Sequence, residues 1–270
     1  MTSSQIRFAV IGLNHGHIYG QTRFMLGAGA ELVSYYAKEP ELGAAFEAAF
    51  PPVKLARSEE EILADPTIQL VLSASIPSER APLGVRVMQH GKDFMSDKGA
   101  PTTFEQLAEV RRVQKETGRI YSVCFSERFE VPAVVKAQDL VAEGRIGKMV
   151  QTIGMGPHSI GLHNRPPWFF QRAFYGGVLI DIASHQFDQF LYFTGSTEAR
   201  VTGAHVANYK YPQYPEFEDF GDVMLEGNNG TGYVRVDWFT PAGAMGAWSS
   251  WAPRGTSKSA STLEFIHNKG

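Results

Sequence analysis

The chain has 270 residues, of which 43% are hydrophobic and 20% charged, and its formal net charge is -3. Those values suit one large or two medium globular domains, and they give no electrostatic case for nucleic acid or an anionic membrane as partner. The single cysteine, Cys124, excludes an intramolecular disulfide framework and a cysteine-based zinc site, and no run approaches the roughly twenty apolar residues of a membrane helix. The start, MTSSQIRFAVIGL, lacks the basic opening and long apolar core of a signal peptide, so a cytoplasmic location is expected.

In chain order, Ile6 to Ile11 is short, apolar and stopped by Gly12, which reads as a buried strand. GLNHGHIYGQTRFML then reads as a loop opening a helix. A strand, a glycine turn and a helix N-terminus place unpaired N–H groups where a phosphate can bind. Set on the dinucleotide fingerprint G-x-G-x-x-G, the three positions hold Gly12, Asn14 and His17, so one glycine of three remains. Asn tolerates left-handed backbone, so Asn14 can substitute; His17 is expected to loosen helix–strand packing. His15 and His17 are spaced i,i+2, and the reading gives them to this cofactor-binding loop rather than to a metal ion.

Glu31 to Tyr36 is a second strand, which makes an early β-α-β unit and argues for a doubly wound parallel sheet. At its end, Lys38 suits the 2′-phosphate of NADP and Glu39 suits the ribose hydroxyls of NAD, while a solvated Lys38 is an equal alternative. Helices are expected at Pro40 to Phe50 and Glu59 to Ala64, and a strand at Ile68 to Ala74. Ile76 and Pro77 follow at that strand's C-terminal end, where ligands of such folds sit. Next come a helix at Ala81 to His90, a strand from Asp93, a helix at Thr103 to Thr117 and a closing strand at Arg119 to Phe125. Lys98, beside Asp97 at a strand end, can hold a substrate oxygen or be a surface lysine on a turn. The expected division is 1–124 as a dinucleotide-binding domain and 125–270 as a substrate and oligomerisation domain.

In the second half, Pro132 to Glu143 reads as a helix and Gly147 to Gly154 as a strand. GPHSIGLHNRPPWFF, from Gly156 to Phe170, is an irregular loop whose His158, His163, Arg165 and Trp168 can line a polar pocket. GGVLIDIASHQFDQ, from Gly176 to Gln189, reads as a glycine break and then one helix. Asp181, His185 and Gln189 share a face, with Asp188 near it and Ile182, Phe187, Phe190 and Leu191 turned to a core. A carboxylate one turn before an imidazole orients the ring and raises its pKa, as a general acid–base histidine requires. Ala199 to Asn208, Gly221 to Glu226 and Thr231 to Phe239 alternate as antiparallel strands, with Asn228-Asn229-Gly230 as a hairpin turn. The fold class expected is α/β: a Rossmann sheet followed by an α+β domain with an open antiparallel sheet.

Four features together resemble the glucose–fructose oxidoreductase / inositol dehydrogenase (Gfo/Idh/MocA) family over roughly residues 6 to 240. They are the strand–GLNHGH–helix opening; SDKGAP, which matches the family's Glu-Lys-Pro loop at Lys98 with Asp97 for Glu and Gly99 for Pro; Arg128-Phe129-x-x-Pro132-Ala133; and GGVLIDIASHQFD, which matches at Gly176, Gly177, Asp181, His185 and Asp188. The resemblance implies an NAD(P)-dependent oxidoreductase acting on CH–OH groups of a sugar, cyclitol or related polyol. Lys98 would bind and polarise the reacting oxygen, His185 would move the hydroxyl proton, and Asp181 would orient that pair. Gly99 in place of proline would hold Lys98 less rigidly. A homo-oligomer, dimer or tetramer, is expected. The alternatives are a cofactor-assisted glycoside hydrolase or lyase on the same fold, and a non-catalytic dinucleotide or ligand sensor.

From about Gly243 the sequence turns Ser/Ala/Gly/Lys-rich without a period, where the family continues with sheet. One set of codons for Ser250 to Ala260, read from its third base, gives LGPEGYIEIR, which looks like the family's next strand. The expectation is a frameshift near residues 243 to 250 that leaves the tail off-frame, the domain truncated and a sheet edge exposed.

Overall fold

The computed structural model describes residues 5–241 and the backbone of 262–268. The chain divides into two compact units, Met1–Cys124 and Phe125–Gly270.

The first unit alternates strand and helix: β1 (Arg7–Ile11), α1 (His17–Gly27), β2 (Glu31–Tyr36), α2 (Pro40–Ala49), β3 (Lys54–Leu55), α3 (Glu59–Ala64), β4 (Leu70–Ser73), α4 (Pro77–Gln89), β5 (Asp93–Asp97), α5 (Phe104–Thr117) and β6 (Tyr121–Cys124). All strand pairs are parallel, in the order β3-β2-β1-β4-β5-β6. The order reverses between β1 and β4, where doubly wound sheets open a crevice for ligands. Both faces are covered. Phe8, Val10, Leu72 and Ala74 join one apolar cluster, and Ala9, Ile11 and Val71 join another. The uninterrupted apolar runs of β1 and β4 follow from that two-sided burial. Ser58 caps α3 by accepting from the Glu61 N–H at 3.3 Å, and Thr103 caps α5 by accepting from Gln106 at 3.2 Å. α4 starts at Pro77 rather than Ala81, since proline is favoured in a first turn. The two-residue β3 has no counterpart in the sequence reading.

In the second unit come α6 (Ser126–Glu130), α7 (Pro132–Ala142), β7 (Lys148–Pro157), two short 3-10 turns (Leu162–Asn164 and Pro167–Phe170), α8 (Arg172–Tyr175), α9 (Val178–Asp181), α10 (Ser184–Thr194), β8 (Ala199–Ala207), β9 (Phe220–Gly227), β10 (Gly230–Asp237) and β11 (Thr262–Asn268). The sheet order is β11-β7-β10-β9-β8. It is mixed, which corrects the antiparallel expectation: β7 runs parallel to β10, while its other neighbour, β11, is antiparallel. β11 lies in the tail expected to be off-frame; the rest of that tail, 242–261 and 269–270, falls outside the described residues.

Helix α10 lies close on this sheet because the strands beneath it carry glycine. A Cβ on Gly154 would stand 2.8 Å from the Gln186 side chain, and one on Gly232 2.8 Å from the Phe190 ring. Phe190 joins Val178, Ile182, Val223, Val234 and Val236 in the core. Among the described residues no helix is long and apolar enough to cross a membrane.

Candidate functional site

The polar groups singled out by the sequence fall into two sets, one in each unit. The first gathers at the C-terminal ends of β1, β2 and β4. Gly12 leaves β1 with φ +83°, donates its N–H to the Tyr36 carbonyl at 3.0 Å and accepts from the Ala74 N–H at 3.2 Å. A Cβ here would stand 2.5 Å from the Ser75 Cβ, so both the backbone angle and the space demand glycine. Asn14 donates its side-chain amide to Glu39 at 2.8 Å. Gly12, Asn14, Lys38, Glu39, Ser75 and Glu79 line a cleft of about 270 Å³. Ile76 and Pro77 form the N-cap and first position of α4.

The charge in this cleft differs from a 2′-phosphate site. Lys38 is exposed and sits 3.4 Å from Glu79, while Arg86 is held by Glu59 at 2.6 Å and Glu60 at 2.7 Å. Both cations already face carboxylates, and Glu39 adds another acid.

Around the end of β5 lies a buried network. Asp97 is fully buried; its Oδ1 is 3.0 Å from His17 Nδ1 and accepts from Gln21 Nε2 at 3.1 Å, and its Oδ2 is 3.2 Å from His15 Nδ1 and 3.4 Å from Arg80 Nη2. Burial alone would raise the Asp97 carboxyl, but the Arg80 charge and then the two histidines hold it well below the usual carboxylate range. His15 is pushed well below its ordinary value, chiefly by burial, although Asp97 pulls the other way. Arg80, only 1% exposed, also donates Nε to the Ser75 carbonyl at 2.7 Å and Nη1 to the Lys98 carbonyl. Lys98 is itself buried, with 5% exposure.

The Lys98 segment is held through its own carbonyl by Arg80. One expectation is corrected here. His17, in the first turn of α1, turns its Nδ1 to Asp97, and α1 seats through the buried Ile18, Gln21 and Thr22, so a histidine at the third fingerprint position does not wedge helix from strand. The sequence reading missed Arg80; its signal was a charged residue in the first turn of a helix that follows a ligand-side strand end.

The second set surrounds α9 and α10. Gly176 and Gly177 have φ +85° and +104°, and a Cβ on Gly177 would meet the Glu218 carboxylate at 2.7 Å. That carboxylate pairs with Arg172 and accepts from the Val178 N–H at 2.9 Å, which pins the start of α9. Asp181 ends this single turn, and α10 begins anew at Ser184. The helix expected to run on from Asp181 is therefore interrupted at Ile182–Ala183, both buried in the core, while His185 and Gln189 keep the shared face expected of them on α10. Asp181, His185 and Gln189 are all buried, and the His185 ring lies edge-on to Phe125 at 6.1 Å. Leu191 is 39% exposed and does not face the core.

Asp188 forms a two-pronged pair with Arg128, at 2.5 and 3.0 Å. Burial raises its carboxyl, with Arg128 pulling it down. Gln186 donates to Glu127 at 3.0 Å, so two residues of α6 hold two residues of α10.

Of the loop residues, Arg165 and His158 share a neighbour that the sequence reading missed, the buried Trp238. The Arg165 guanidinium lies 4.3 Å over Phe169 and 4.8 Å over Trp238, and its Nε donates to the Ile160 carbonyl at 2.7 Å. Burial lowers the Arg165 pKa, and the nearby Asp181 charge pulls it up, so these two belong to one electrostatic neighbourhood. His158 Nδ1 donates to the Gly156 carbonyl at 3.0 Å, and the ring packs edge-on to Trp238 at 5.2 Å. Trp168 packs partly buried against the core, and His163 is exposed beside Asn164.

Comparison with known proteins decides the lineage. The profile described as "Oxidoreductase family, NAD-binding Rossmann fold" matches residues 6–125, and "GFO/IDH/MocA C-terminal domain" matches residues 134–257. The chain belongs to the GFO/IDH/MocA oxidoreductase family. Within that family, it is 28% identical over 222 residues to scyllo-inositol 2-dehydrogenase (NAD(+)) of Bacillus subtilis (strain 168), a match that covers 81% of this chain and 61% of that protein. The chain thus spans less than two thirds of that relative's length. A crystal structure from Erwinia carotovora atroseptica SCRI1043, of a protein assigned as an oxidoreductase, superposes with a TM-score of 0.90 at 44% identity, covering 98% of this chain and 77% of that one. Levoglucosan dehydrogenase in complex with NADH superposes with a TM-score of 0.74 at 23% identity, over 87% of this chain and 67% of that one, and shows the shared fold.

Proposed function

We propose that this GFO/IDH/MocA chain carries out NAD-dependent oxidoreduction, moving hydride between a nicotinamide and a hydroxyl or carbonyl carbon of a sugar, cyclitol or related polyol. The observation that carries the reading is the first-unit crevice. It lies at the β1/β4 reversal, turns at Gly12, where a Cβ would collide with Ser75, and presents Asn14 from the loop after β1 beside Glu39 after β2. A dinucleotide fits those residues: Gly12 and the N-termini of α1 and α4 suit phosphate, and Asn14 with Glu39 suits ribose hydroxyls. The surplus of carboxylates around Lys38 favours NAD over NADP, because a 2′-phosphate would face Glu39 and Glu79. The relatives named above, one an NAD(+) dehydrogenase of a cyclitol and one holding NADH, support the same choice.

When bound, the nicotinamide supplies the hydride acceptor or donor. The chain's own residues supply the rest. The Lys98 ammonium binds the reacting oxygen and stabilises its negative character as the hydroxyl proton leaves. An imidazole nitrogen of His185 takes that proton in oxidation and returns it in reduction. Asp181 favours the imidazolium while it carries the proton. Arg165 donates hydrogen bonds to further substrate oxygens, and His158 Nε2 accepts one from a substrate hydroxyl. We further propose a cytoplasmic homo-oligomer, supported by exposed Val201, Val206 and Met224 on β8 and β9.

The test is a panel of sugars and cyclitols offered with NAD+ or NADP+, followed by absorbance of the reduced nicotinamide. The expected result is steady reduction with at least one polyol, faster with NAD+. Product release without net change in cofactor redox state overturns this reading in favour of redox-neutral chemistry. Light scattering in solution checks the oligomer, and a monomer at micromolar concentration refutes it.

A further inference from the structure

We propose that His15, His17 and Asp97 form a binding site for one divalent transition metal ion of the zinc class. Among the described residues these three bring their ligand atoms within 4.8 Å of one another. His15 Nδ1 stands 3.2 Å from Asp97 Oδ2, and His17 Nδ1 stands 3.0 Å from Asp97 Oδ1. Tetrahedral zinc with bonds of about 2.0–2.2 Å separates neighbouring ligand atoms by roughly 3.3 Å, which both histidine–Asp97 separations already approach. Two imidazoles and a carboxylate are a zinc-type donor set, and the partial exposure of both histidines leaves a fourth position for water.

A second observation points to a cation at this spot. The His17 backbone N–H donates to His15 Nδ1 at 3.3 Å, so that nitrogen carries a lone pair rather than a proton. The same nitrogen faces Asp97 Oδ2, a fully buried oxygen with no hydrogen-bond partner among the described residues. A metal ion here would take the His15 lone pair from the His17 N–H and join it to Asp97 Oδ2, 3.2 Å away. Arg80, 3.4 Å from Oδ2, opposes a dication. The affinity expected is therefore modest, on the order of micromolar rather than that of a closed structural zinc site. The bound ion would fasten the loop after β1 to the end of β5, one residue before Lys98.

This proposal is independent of the redox reading and is tested without turnover. The full-length chain, free of any histidine tag and stripped with chelator, is titrated with Zn²⁺ and with Co²⁺ by calorimetry and by thermal unfolding. The expected result is one equivalent bound, with a Tm that rises with metal concentration. Asp97→Asn also removes the partner of Arg80, and failure of that variant to fold would blur the result. His17→Gln, at a partly exposed position, therefore carries the decision. A loss of affinity of tenfold or more in His17→Gln, with unchanged circular dichroism, supports the site. No binding by the wild type at millimolar metal, or a loss smaller than tenfold in His17→Gln, overturns it.

Discussion

The two units set their functional groups by different means. In the first, the backbone does most of the placing: strand order opens a crevice, and Gly12 lets β1 turn against Ser75. In the second, placement is by side chains. The Arg128–Asp188 and Glu127–Gln186 pairs hold α10, and Phe169 with Trp238 holds Arg165. A backbone-defined site tolerates varied side chains, as Asn14 and His17 at glycine positions illustrate. A side-chain-defined site is exposed to single substitutions.

That contrast can be broken most sharply at His185. His185→Ala is expected to cut turnover by about two to four powers of ten, with NAD+ affinity within twofold. Retained turnover removes His185 from the proton transfer; lost NAD+ affinity assigns it to the cofactor. Next in size is Asp188→Ala, which leaves the Arg128 charge buried without its partner. It is expected to destabilise the second unit by about 3–5 kcal/mol, read as a shift in denaturant midpoint. An Arg128→Met, Asp188→Leu double variant should recover much of that loss if the pair serves position rather than chemistry. Gly12→Ala tests the backbone side of the comparison. Its φ and the Ser75 contact together should cost about 2–4 kcal/mol and abolish measurable NAD+ binding, while circular dichroism shows the fold retained.

The smallest effect expected is in pH. Folded His15 resists the proton that the unfolded chain takes up near 6.5, so the first unit should lose stability as pH falls below that value. Asp97, ionised when folded to well below its ordinary 3.8, adds a further loss as pH falls through that value. His15→Gln should flatten the upper limb alone, and thermal unfolding between pH 7 and pH 3 checks it. An unchanged slope would mean that His15 takes up protons when folded as it does when unfolded.

Much of the fold was legible from the sequence, for local reasons. The apolar runs of β1 and β4 stand out because both faces are buried, and Gly118 stops α5 with φ +66°. Strand direction in the second sheet was not legible. Alternation in β7 says which residues face the core but not that β10 runs parallel to it. The break between α9 and α10 left no trace either, since Ile182 and Ala183 are ordinary helix residues and keep right-handed backbone angles. Site geometry followed the same division. Gly12, Asn14, Lys38 and Glu39 come from neighbouring stretches, and they line one cleft. The Asp97 network joins residues up to 82 positions apart in the numbering, His15 to Asp97, and no periodicity signals it.

The glycines under α10 carry a wider consequence. Because Gly154, Gly227 and Gly232 let helix and sheet touch without intervening methyl groups, the height of His185 above the strands is fixed by backbone thickness. Divergence toward new substrates would then leave that stack alone and rework the stretch between Gly156 and Phe170. Swapping that segment alone between relatives is the economical way to redirect such a scaffold.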